Sequence, residues 1–140
     1  MDPLLIALRL IHVVAGILWV GFAVFVPFYL APALAEAGPE SARVMGALQR
    51  RGLTTVMPVL AVLTILAGLW LYWRASGGSL AGYLGTTPGL VLGLGGVAAI
   101  LGFAIGMLFA RPAMMRAAAL AQSIPPGAPP EERARIAAAA

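Results

Sequence analysis

The chain has 140 residues, of which 61% are hydrophobic and 10% are charged. Its apolar runs are too long for a water-soluble core of this size, so the composition predicts an integral membrane protein in contact with a lipid bilayer. The absence of cysteine excludes disulfides, thiolate metal sites and iron–sulfur ligation. All nine basic residues are arginine, and the net charge is +4. Because these arginines flank apolar runs, we expect them to set topology and meet lipid phosphates, with no nucleic-acid partner.

Three predicted helices account for most of the chain. A bilayer core requires about 20 apolar residues per helix. Three segments meet this requirement: residues 4–30, 53–73 and 89–110. The sequence therefore predicts an all-α, antiparallel bundle of three transmembrane helices over residues 1–123, including a juxtamembrane helix that reaches residue 123. Pro27 and Pro32 are expected to bend or end the first helix, whereas Pro88 fits the first turn of the third.

The first helix contains the only histidine, His12. Arg9, His12, Gly16 and Trp19 are spaced to share one helical face, and Gly16 leaves a notch between the imidazole and the indole. Ionisable groups at membrane depth are costly and usually functional. One interpretation is that His12 ligates haem iron or relays protons, with Arg9 holding a propionate or phosphate. The alternative is a neutral His12 that hydrogen-bonds inside the bundle, while Arg9 extends to the interface.

Residues at the level of His12 limit the haem hypothesis. A rise of about 1.5 Å per residue places His12 roughly 12 Å below the end of its helix. The other helices present the following residues at that depth: Thr64, Ile65, Gly68, Gly96 and Val97. Because none of these binds iron, a two-histidine haem within one chain is excluded. Three alternatives stay open for haem binding: a five-coordinate haem, a site shared between chains, and a second ligand on a further span. Thr64 is a candidate hydrogen-bond partner for His12. We predict no metal site and no catalytic residue.

The distribution of arginines predicts the orientation in the membrane. Seven of the nine lie on one side: Arg43, Arg50, Arg51, Arg111, Arg116, Arg133 and Arg135. Cytoplasmic segments carry the excess of positive charge, so we expect an outside N-terminus and a cytoplasmic C-terminus in a bacterial inner membrane. Trp70, Tyr72, Trp73 and Arg74 then mark the outer interface. The loop that holds Arg43 is expected to start a helix near residue 39 that runs into the second span.

The third helix carries two stripes of small residues. The first consists of Gly89, Gly93 and Gly96, and the second of Gly95, Ala99, Gly102 and Gly106. Small residues at spacings of three or four let membrane helices approach closely. Because a three-helix bundle cannot easily bury both stripes, the alternatives are internal packing and a docking face for another subunit.

The last segment, residues 124–140, is expected to be a proline-rich linker followed by the start of a further helix. The linker reads IPPGAPP, and the residues after it read EERARIAAAA. Glu131 and Glu132 suit the first turn of a helix. We therefore expect the natural chain to continue into a fourth span.

One family resemblance bears on His12. The run ALRLIHVVAGILWVGFAVFVPFYLAPAL resembles the first helix of a group of small bacterial inner-membrane proteins. The group includes the copper-resistance D family, the haem-containing protoporphyrinogen oxidase and uncharacterised four-helix relatives, and the last are the most similar. His12, Gly16 and Trp19 carry the resemblance, which implies a haem b ligand at His12 and a fourth span. The chain departs from the oxidase in lacking lysine, and from copper carriers in lacking clusters of histidine or methionine.

These observations lead to three functional hypotheses. The first is a non-catalytic subunit that packs within a larger membrane assembly, such as a respiratory or photosynthetic complex, and is not an enzyme. The second is a haem-binding redox protein that uses His12. The third, transport of copper or a small solute, ranks last because the spans hold so few polar residues.

Overall fold

The computed structural model describes residues 2–37, 41–123, 125, 127–129 and 131–132. Within these ranges the chain is predominantly helical and contains no strand. Three helical stretches are long and apolar enough to cross a membrane: Pro3–Glu36, Leu53–Ala75 and Thr87–Arg116. The predicted all-α fold with three spans is confirmed.

Seven α-helices and two π-turns make up the described structure. The helices are α1 Pro3–Phe25, α2 Ala31–Glu36, α3 Ser41–Arg50, α4 Leu53–Ala75, α5 Leu80–Leu84, α6 Thr87–Ile105 and α7 Arg111–Ser123. The π-turn Val26–Leu30 joins α1 to α2, and the π-turn Gly106–Ala110 joins α6 to α7. Most of the predicted linker and further helix at residues 124–140 lies outside the described residues.

The prolines of the first span do not end it. The Ala31 N–H donates to the carbonyl of Val26, five residues earlier, just before Pro32. In the same way the Arg111 N–H donates to Gly106 before Pro112. In a regular α-helix a proline ring clashes with the carbonyl four residues earlier. A wider π-turn before each proline relieves that clash and lets both spans continue.

The principal packing contact is between α1 and α4. Ala15 of α1 is buried there, together with Ala61, Thr64 and Ala67 of α4. These small side chains recur every three residues on α4, so the two backbones approach closely. Elsewhere on the spans large apolar side chains face outward, as the 60% exposure of Leu10 illustrates. That distribution suits a lipid environment.

Two connections lead into the second and third spans. Gly52 has a φ of +82°, a conformation that favours glycine, and it separates α3 from α4. The prediction that the loop helix runs directly into the second span is therefore wrong. The glycine-rich segment before the third span contains α5, whose first turn is capped by the Ser79 hydroxyl. Thr86 caps α6, since its Oγ1 accepts the Gly89 N–H at 3.2 Å.

Candidate functional site

A cleft of about 480 Å³ opens at the end of the bundle near the N-terminus, and we call it the His12 cleft. Its lining residues are Leu5, Arg9, His12, Gly68, Leu71, Tyr72, Arg74, Ala75 and Leu92. They belong to the start of α1, the end of α4 and one residue of α6. The cleft therefore combines apolar residues with two arginines, one histidine and one tyrosine.

His12 is held by a backbone carbonyl of the neighbouring helix. Its Nδ1 lies 2.8 Å from the carbonyl oxygen of Thr64. Because a carbonyl oxygen only accepts, Nδ1 carries the proton and donates, and Nε2 of the neutral ring keeps a lone pair. No buried side-chain nitrogen or oxygen in the described part of the chain lacks a partner. Nε2 makes no hydrogen bond there, so it lies at the surface of the cleft.

Two of the five residues expected at the depth of His12, Thr64 and Gly68, lie beside it. Thr64 donates its own hydroxyl to the Leu60 carbonyl at 2.8 Å, so the backbone of Thr64 holds His12 and the hydroxyl does not. A Cβ at Gly68 would lie 2.7 Å from Cε1 of His12. The notch predicted at Gly16 is filled by the Thr64 methyl group, 3.3 Å from where a Cβ would stand. Glycine at both positions thus permits the close contact between α1 and α4.

Arg9 and Arg74 lie 65 residues apart in the sequence but line the same cleft. Both are exposed, and neither guanidinium group has a hydrogen bond or ion pair with any residue that the structure describes. The carboxylate of Asp2, at the same end of the bundle, instead accepts the Leu4 N–H at 3.0 Å. Two cations that share one cleft without a counter-charge favour an anionic ligand. From the sequence, Arg74 was interpreted only as a marker of the outer interface. Matching its depth in the membrane with that of Arg9 would have predicted that the two arginines lie at the same site.

Tyr72 connects the cleft to α6. Its hydroxyl donates to the Gly89 carbonyl at 2.9 Å, and its ring meets that of Tyr83 edge-on with centroids 5.2 Å apart. Gly89 is buried, and a Cβ there would collide with the backbone carbonyl of Tyr83. A Cβ at Gly93 would lie 3.1 Å from the Tyr72 hydroxyl. The first two glycines of the first stripe therefore pack internally.

The glycines of the second stripe face away from the bundle. Glycines 95, 96, 102 and 106 share one property, that a Cβ on any of them would have no neighbour within 4 Å. Gly102 lies nine residues after Gly93, which at 3.6 residues per turn places it on the opposite side of the helix. We call Gly95, Ala99, Gly102 and Gly106 the outer glycine face. Gly96, which was expected in the first stripe, is also open.

The remaining predicted residues lie away from the His12 cleft. Trp19 and Trp70 are half-exposed, and Trp73 is exposed. The interfacial arginines near the other end are exposed: Arg50, Arg51, Arg111 and Arg116. Arg43 lies in α3, and its side chain is outside the described part of the structure. In the ranges described, no group of histidine, cysteine or acidic residues could hold a metal ion.

The fold and the cleft define the class of this protein: a helical membrane protein with three candidate spans and one imidazole held at a cationic cleft. No family model, curated protein or solved structure matches the chain. The resemblance to the copper-resistance D and protoporphyrinogen oxidase group stays a prediction.

Proposed function

We propose that the protein is a non-catalytic membrane subunit that packs against the helices of other subunits through the outer glycine face. The observation that carries this proposal is the open space at Gly95, Gly102 and Gly106, on the side of α6 opposite its internal contact. The proposed location is a bacterial inner membrane, with the N-terminus outside and the C-terminus cytoplasmic. The bias of arginines toward the other end of the bundle supports this orientation.

Helix association in lipid depends on close packing, because lipid tails are as apolar as leucine. A helix face that meets only lipid has no need of glycine, and glycine also weakens a helix by about 1 kcal/mol relative to alanine. Neighbouring lipid-facing positions of α6 are indeed large, as Leu94 and Leu101 show with exposures of 62% and 58%. Glycines placed at one face of this helix therefore support close approach by a second helix.

Cysteine cross-linking in native membranes tests the packing proposal. The chain has no cysteine, so single cysteines report one position each. We expect Ala99→Cys, on the outer glycine face, to form a cross-linked species after labelling with a benzophenone maleimide and irradiation. The maleimide adds to the cysteine thiol, and the excited benzophenone inserts into a C–H bond of the neighbouring helix. Val97→Cys is the matched control, because it lies at nearly the same depth, is 55% exposed and points to the other side of α6.

The mass of the product identifies the neighbour, since twice the chain mass means a second copy and any other mass means a different subunit. Equal cross-linking at both positions, or none at Ala99→Cys, contradicts the proposal.

The geometry of His12 favours haem binding as a second candidate function. Its Nδ1 donates to a backbone carbonyl, which is the arrangement that orients a histidine to bind a metal through Nε2. Gly68 leaves room for the His12 ring against α4, and Arg9 and Arg74 of the same cleft are the candidates to pair with propionates. These residues fit a five-coordinate haem b, which supplies one-electron redox chemistry when bound. The chain's own part is to orient the imidazole and balance the carboxylates.

Absorbance spectroscopy tests the haem candidate. We expect protein purified from haem-supplemented cells to show a Soret band. The His12→Ala protein should hold about tenfold less haem per chain than the wild-type protein, because the axial ligand is removed. Gly21→Ala is the control, since a Cβ there meets nothing within 4 Å. A wild-type protein without a Soret band, or a His12→Ala protein with full haem content, would rule the candidate out.

A further inference from the structure

We propose that the His12 cleft binds the headgroup of an anionic phospholipid, with Arg9 and Arg74 pairing with its phosphate. Seven of the nine arginines belong to the other end of the bundle or to the C-terminal segment. The two at this end come from different helices and still line one cleft. Two arginines that converge on one cleft from different helices indicate a specific binding site, whereas arginines that only mark the interface would be scattered around the bundle. The inference is independent of the outer glycine face.

The lining of the cleft selects an amphiphile over a free anion. Beside the two guanidinium groups, the walls are formed by apolar side chains: Leu5, Leu71, Ala75 and Leu92. All four lie on the candidate membrane spans. A phosphodiester with acyl chains matches both the arginines and the apolar walls of the cleft. The guanidinium groups pair with the phosphate oxygens, and the acyl chains cover the apolar walls.

The neutral polar groups narrow the choice of headgroup. Tyr72 already donates its proton to the Gly89 carbonyl, and His12 presents the lone pair of Nε2. Both groups therefore offer acceptors to a ligand, and the arginines supply the donors. A headgroup that joins a phosphate to a free hydroxyl matches this set, since the hydroxyl donates to an acceptor. Phosphatidylglycerol has that chemistry, whereas phosphatidylcholine has neither a net charge nor a hydroxyl donor in its headgroup.

Native mass spectrometry of the delipidated protein in detergent tests the inference. The probes are short-chain phosphatidylglycerol, the matched phosphatidylcholine and inorganic phosphate. We expect phosphatidylglycerol to bind the wild-type protein about tenfold or more tightly than phosphatidylcholine, and Arg9→Gln and Arg74→Gln each to remove most of that preference. Arg50→Gln, which removes one charge as each test variant does, is the charge-matched control at the other end, and it should keep the preference.

Several outcomes overturn the inference. Equal binding of the two lipids by the wild-type protein refutes it without any variant. If the control variant loses the preference for phosphatidylglycerol to the same degree as the Arg9 and Arg74 variants, that preference depends on net charge and not on this cleft. Inorganic phosphate that displaces phosphatidylglycerol at similar concentration indicates a free-anion site. A Soret band that weakens in Arg9→Gln, with lipid preference unchanged, assigns the arginines to haem propionates.

Discussion

We expect Gly89→Ala to lower the free energy of unfolding by about 2–3 kcal/mol, the largest stability loss among single glycine substitutions in the spans. The new Cβ would collide with the backbone carbonyl of Tyr83, which cannot rotate away as a side-chain tip can. Moving α6 to relieve the collision also breaks the hydrogen bond from Tyr72 to the Gly89 carbonyl. Unfolding by SDS in mixed micelles, followed by circular dichroism and tryptophan fluorescence, measures the change.

Gly96→Ala is the matched control for this experiment. It lies two turns further along the same helix, and a Cβ there meets nothing within 4 Å. Alanine should be neutral or stabilise the helix by up to about 1 kcal/mol at an open helical position. If the two variants unfold at the same SDS concentration, α6 does not make the close contact with Tyr83 described above.

The sequence predicted the spans well because bilayer thickness dictates their length. The second span was expected at residues 53–73 and is found at Leu53–Ala75. The first was expected to stop near residue 30 but continues to Glu36. A proline signals a break from sequence alone, whereas a π-turn that absorbs the proline depends on local backbone geometry. Boundaries next to prolines were therefore the less predictable part of the fold.

The sequence predicted only some of the contacts that form the candidate site. Depth matching placed Thr64 and Gly68 beside His12, because antiparallel helices of known rise meet at predictable levels. It could not show that the Thr64 carbonyl, and not its hydroxyl, holds the ring. Charge counting did not pair Arg9 with Arg74, because it uses only the side of the membrane on which each arginine lies; matching the depths of the two residues would have done so.

At the His12 cleft, small residues of α4 pack against the imidazole ring of His12. Thr64 and Gly68 of α4 both touch His12, and Tyr72 follows one turn later at the cleft wall. Residues four apart lie on one face of a helix. One face of α4 therefore holds the imidazole and, through Tyr72, also the start of α6. A ligand in the cleft would touch both helix contacts at once.

We expect Gly68→Ala to lower the free energy of unfolding by about 1–2 kcal/mol, and this loss to disappear in a His12→Ala background. The new Cβ would stand 2.7 Å from Cε1 and 3.0 Å from Nδ1 of His12, so the ring must turn away and give up its hydrogen bond to Thr64. A double-mutant cycle of the two positions, measured by SDS unfolding, should give a coupling energy of about 1–2 kcal/mol.

Gly21→Ala controls for the effect of alanine on helix stability, since it has open space around it. It should give the same change with or without His12, because it touches neither the ring nor α4. A Gly68→Ala loss that persists at full size in the His12→Ala background would show that the clash is with another group. The hydrogen bond from His12 to Thr64 would then not depend on glycine at position 68, and the small-residue contact would have to be explained by the approach of the two backbones alone.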